Sequence, residues 1–162
     1  MTCYTDNTMR PTILFLIVVL SLTGCKKDNR QKAQSLASEA SFLMNEGKQT
    51  EALILLKEAS GLMPMCAEYH VSIAMASVKI KDYTTARDEY LKALPILQEQ
   101  SQEDPERVDD LIMVLVCLNR IQEANTVLNA AKQRFKGNRT ISMLADNYSE
   151  FIESISELQI KD

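Results

Sequence analysis

The side chains able to do chemistry in this 162-residue chain are few and mostly far apart. It has one histidine, His70, and four cysteines, Cys3, Cys25, Cys66 and Cys117. So small a stock of imidazole and thiol falls short of the usual Cys/His zinc sites. The carboxylates Glu103, Asp104, Glu106, Asp109 and Asp110 are clustered, but they lack the alternating spacing and the glycine of a calcium loop. A solvated acidic connector is the better reading. The glycines Gly24, Gly47, Gly61 and Gly137 are scattered, so no loop is rich enough in glycine to cradle a phosphate. His70 falls near the start of an expected helix, where a packed ring is expected rather than a general base. Cys25 is more informative. It closes Leu22-Thr23-Gly24-Cys25, directly behind the apolar run Ile13–Leu22. That run is too short for a membrane-spanning helix of about 20 residues. It fits the hydrophobic region of a secretory signal, with Thr23 and Gly24 as the small residues before a cut.

Run and tetrapeptide together resemble the signal peptide of a bacterial lipoprotein. The resemblance implies a diacylglycerol on Cys25, cleavage just before it and acylation of the new N-terminus. Residues 1–24 would then be the leader and 25–31 a lipidated tether. Only Arg10 is basic ahead of the run, and Met9 beside it offers a second start. Lys26, Lys27, Arg30 and Lys32 would lie near lipid headgroups, where each cation adds about 1 kcal/mol of attraction to an anionic surface. The acyl chains would do most of the anchoring. Lys26 stands where the enterobacterial inner-membrane retention signal has aspartate, which implies the outer membrane, facing the periplasm. The alternative is an ordinary cleaved signal or an uncleaved anchor.

Composition narrows the partner class. The chain holds 18 Lys and Arg against 22 Asp and Glu, a net charge of −4. No basic face for nucleic acid is expected. The acidity is concentrated late: from Leu97 onward there are 7 basic and 12 acidic residues. Cys66 and Cys117 are expected on unlike parts of their helices, which disfavours a disulfide between them. Both are expected to behave as small hydrophobes.

An internal repeat organises the rest. Ala40 recurs as Ala74, Ala52 as Ala86, Leu56 as Tyr90 and Ala59 as Ala93, each pair 34 residues apart. With Leu43, Gly47 and Pro64, this spacing resembles the tetratricopeptide repeat. The first repeat covers about 33–66 and the second 67–104, with Lys81 in place of the turn glycine and an early proline, Pro95. The third, about 105–137, is degenerate: Ala124, Leu128 and Ala131 lie 38 residues after their counterparts. Four extra residues must therefore fall in the polar stretch 96–104, before Pro105 opens the next helix. Each repeat should be a pair of antiparallel helices, with alanines at the close approaches and Leu56, Tyr90 and Leu128 between repeats. Ile141, Leu144, Tyr148, Ile152, Ile155 and Leu158 recur at helical spacing, so 138–160 is expected as one capping helix. The fold class is all-α: a solenoid of about three helix pairs plus a C-terminal capping helix, spanning 32–162.

With no catalytic constellation, no metal and no cofactor expected, function falls to a surface. In the family this chain resembles, the first helix of each pair lines a groove for peptides or partner helices. Carrying those positions over gives Gln34, Ala37, Ser41, Met44 and Asn45 in the first repeat, and Glu68, Val71, Met75, Val78 and Lys79 in the second. The third supplies Glu106, Asp109, Met113, Val116 and Cys117. The basic, asparagine-rich clamp of the family's chaperone-tail binders is missing, so an acidic C-terminal tail is not the expected ligand. A Met/Val stripe edged by polar groups suits an amphipathic helix, unless Met75 and Met113 simply pack between helices. The expectation is a membrane-anchored scaffold for a protein partner in envelope assembly. Self-association with a second copy is the rival.

Overall fold

A computed structural model describes the backbone from Pro11 to Ile160 and the side chains from Asp28 to Ile160. The proposed cleavage point and the lipidation site Cys25 lie outside the residues whose side chains are described. Among the described residues all regular structure is helical. α1 (Pro11–Asn45) and α2 (Gln49–Leu62) form the first pair, α3 (Ala67–Lys79) and α4 (Tyr83–Gln100) the second. α5 (Val108–Cys117) and α6 (Ile121–Arg134) form the third, introduced by a 3-10 turn at Pro105–Arg107. No helix among the described residues is long and apolar enough to cross a membrane.

The repeat alanines sit where two backbones come closest. Ala40, Ala52, Ala59, Ala74, Ala86, Ala93 and Ala124 are wholly buried, and Leu56, Tyr90 and Leu128 fill the spaces between them. Any larger side chain at the alanines would force the helices apart, and overpacking of this kind costs about 1–3 kcal/mol. Consecutive helices pack on one another along the chain, from α1 against α2 through to α5 against α6. This is the solenoid arrangement that the repeat implied.

Each first helix ends in the same way. Gly47, Lys81 and Asn119 all have positive φ, at 79°, 64° and 62°. The next amide reaches back five residues: Lys48 N–H donates to Leu43 O at 2.9 Å, Asp82 to Ser77 O at 2.9 Å and Arg120 to Leu115 O at 2.8 Å. A residue in the left-handed region followed by such a bond satisfies carbonyls that the helix end leaves orphaned. The turn that glycine opens in the first repeat is thus imposed on lysine and asparagine in the next two.

Two local features go beyond the sequence reading. The extra residues of the second repeat lengthen its second helix, since α4 has 18 residues where α2 and α6 have 14. The helix runs through Pro95, and Ile96, Leu97 and Ser101 beyond it are buried, so core packing holds the additional turn. The segment expected as one capping helix divides into α7 (Arg139–Asp146), α8 (Tyr148–Ser154) and a 3-10 turn at Ser156–Leu158. Asn147 interrupts it: its side-chain amide donates to Met143 O at 2.8 Å, competing with helical bonding as short polar side chains do.

Candidate protein-binding groove

The expected groove positions divide into two halves with different fates. On α1, Gln34, Ser41 and Asn45 are exposed, while Ala37 and Met44 are half-buried. Gln34, Ala37, Ser38 and Ser41, with Tyr69 of α3, line an open trough of about 740 Å³. It is a shallow depression, open to solvent along its length.

On α3 and α5 the face is engaged by the chain itself. Val71, Val78, Val116 and Cys117 are buried in the main core cluster, and Met75 and Met113 pack against it half-buried. Glu68 and Lys79 stay at the surface but are paired. Glu68 Oε1 meets the Arg107 guanidinium at 2.7 Å, and Lys79 Nζ lies 3.4 Å from Glu157 Oε2. Glu106 accepts from the Thr140 hydroxyl at 3.0 Å. Half-buried Asp109 accepts from the Asp110 amide at 2.8 Å. Val71, Val78 and Val116 thus offer no free surface, each being buried in the main core cluster.

The acidic connector is organised around a cation from its own sequence. Arg107 reaches Glu68 on α3, Asp110 Oδ2 at 3.1 Å and Asp104 Oδ2 at 3.9 Å. Among the described residues no three His, Cys, Asp or Glu side chains gather where they could hold a metal ion. Burial pushes the Glu68 carboxyl up, but hydrogen bonds from the Cys66 thiol, its own amide and Arg107 outweigh it and hold the carboxyl below its usual range. Asp110 is raised, chiefly by burial.

Both described cysteines are free. Burial first, then the hydrogen bond to Glu68, pushes the Cys66 thiol up to about 11. Burial pushes Cys117 to about 11 as well. At neutral pH both stay protonated, and a protonated thiol is a poor nucleophile.

Sequence reasoning missed the partner of His70. The ring is buried, with Nδ1 at 2.6 Å from Glu89 Oε2 and Nε2 at 2.9 Å from Pro64 O. Lys92 Nζ adds a bond to Glu89 Oε1 at 2.6 Å. The signal was present in α4. Glu89 shares a stripe with Ala86, Tyr90 and Ala93, and a carboxylate on a buried stripe needs a partner. This cluster ties α3, α4 and the chain before α3 together, and Pro64, His70 and Lys92 line an open, largely apolar pocket of about 380 Å³ with Met65, Pro95, Ile96 and Glu99.

No family model matches the chain, and no curated protein matches it. Among solved structures, the chain is similar to the crystal structure of the Yersinia enterocolitica type III secretion translocator chaperone SycD in an alternative dimer. The match covers 78% of this chain and 92% of that one, at 16% identity and a TM-score of 0.52. At that identity the likeness concerns the fold. The chain is a multi-helix, tetratricopeptide-like α-solenoid, the architecture of that chaperone.

Proposed function

We propose that this protein is a binding module for another protein, held at the bacterial cell envelope by lipid on Cys25 and working as a scaffold or chaperone. The observation that carries the binding half is the open trough on α1 and α3, lined by Gln34, Ala37, Ser38, Ser41 and Tyr69. A solenoid that leaves such a trough uncovered offers backbone-sized space with hydrogen-bonding walls, and its adjoining face already accepts a peptide segment. The similar Yersinia protein is a secretion translocator chaperone, which supports the same reading.

The envelope half rests on sequence: the apolar run Ile13–Leu22 and Leu22-Thr23-Gly24-Cys25. Lys26 after the cysteine favours the outer membrane. Labelled palmitate should enter the wild-type chain, and Cys25→Ala should abolish labelling and release the folded protein from membranes. Membrane fractionation of that variant would refute the anchor and leave an uncleaved segment in its place. For the binding half, Ser41→Arg should fill the trough and abolish co-purification of envelope partners, while Asp88→Arg on exposed α4 should not. Equal recovery with both variants would refute the trough. A self-associating protein would instead appear as a dimer of the soluble domain by light scattering, lost in one of these variants.

A further inference from the structure

The C-terminal segment occupies the α3–α5 face much as a ligand would. Its 3-10 turn Ser156–Leu158 packs against both helices. Ile155 and Ile160 are buried in the same cluster as Val71, Val78 and Val116, and Leu158 packs on it half-buried. Beyond the turn the chain is extended at Gln159 (φ −66°, ψ 140°), and the Ile160 N–H donates to Cys117 O at 3.1 Å. Cys117 is the last residue of α5, so that carbonyl is one the helix end leaves without an intrahelical donor. Glu157 meets Lys79 at the end of α3. The face thus takes apolar side chains, one acid and one main-chain N–H.

The hold on this occupant is slight. α7 and α8 have 8 and 7 residues, and Lys79–Glu157 is an exposed pair of the kind that contributes little. The Tyr148 hydroxyl at the start of the segment is buried without a hydrogen-bond partner.

We infer that the α3–α5 face is a binding site for a short apolar segment carrying an acid, that Ile155–Ile160 is its resident intramolecular occupant, and that a partner segment of the same chemistry binds by displacing it. The inference rests on the reading of the protein as a binding module and names the chemistry of the partner.

The probe is a fluorescein-labelled peptide with the sequence of residues 147–160, measured by anisotropy against the full chain. Wild type, with its face filled, should bind weakly. Leu158→Asp should release the segment, keep its helical circular dichroism and bind the peptide at least tenfold more tightly. Adding Lys79→Glu should weaken that binding severalfold. Hydrogen exchange on the wild-type chain should show amides 148–160 opening at least a hundredfold more often than those of α3 and α5. A folded Leu158→Asp variant that ignores the peptide would overturn the proposal. So would loss of the fold in that variant, or tail amides as protected as the core, since either makes the segment an integral part of the core. No cellular partner enters this test, so its outcome stands apart from the capture experiment with Ser41→Arg.

Discussion

At the residue scale, buried polar atoms decide how the domain responds to its surroundings. Burial alone would raise the Glu89 carboxyl, yet hydrogen bonds from Lys92 and His70 hold it below the ordinary 4.5. Glu68, Asp82 and Glu123 are lowered as well, whereas Asp110 is raised. For a lowered carboxyl the unfolded chain takes up its proton first. The stabilisation is complete above pH 4.5 and drains away as pH falls towards the lower folded value. Asp110 acts in the opposite sense and offsets part of this. Acid titration followed by circular dichroism should show stability falling below about pH 4.5, with a shallower fall in Glu89→Gln. Tyr90 gives the contrary case. Its ring is wholly buried among the repeat alanines, and its hydroxyl lies against the buried Cys117 thiol, a weak hydrogen-bond partner at best. Tyr90→Phe removes a hydroxyl that the thiol satisfies poorly, opens no cavity and should raise urea-denaturation stability by about 1 kcal/mol. A loss of similar size would mean that the hydroxyl is bonded in solution.

At the scale of elements, spacing made the helix pairs legible because the physics behind it is local and periodic. Alanines at 34-residue intervals mark close approaches, and those positions are buried to the last one. Spacing placed the insertion within 96–104 but did not show its form. Residues 96–104 are polar enough for a loop, yet the buried Ile96, Leu97 and Ser101 draw the chain into another helical turn. That turn carries a proline in the helix interior, which lacks an N–H and crowds the preceding carbonyl. Pro95→Ala should therefore stabilise the domain by about 1–3 kcal/mol, measured by thermal or denaturant unfolding. The three left-handed turn residues supply a graded series. Lysine in that region is strained by its Cβ, asparagine less so and glycine not at all. Lys81→Gly should gain about 1 kcal/mol, and Asn119→Gly clearly less. Equal effects would show that something other than backbone strain sets the turns.

At the scale of the whole molecule, the C-terminal return was hidden for a physical reason. The apolar spacing of 141–158 identified a buried face, but one sequence does not say which surface it covers. Long-range placement depends on Asn147 breaking the helix and on an orphan carbonyl at Cys117, neither of which has a periodic signature. Hence Val71, Val78 and Val116 read as groove positions in the sequence and lie in the core of the folded chain. On α1, by contrast, Gln34, Ser41 and Asn45 stay exposed among the described residues. The account therefore rests on one claim, that the exposed α1–α3 trough is where a partner protein docks. A photo-crosslinking amino acid placed at Ser41 in living cells tests it most directly, with the same residue at Asp88 as the control. The account predicts a discrete crosslinked protein at Ser41 that is missing at Asp88. Identical products at both positions, or none at Ser41, would contradict it.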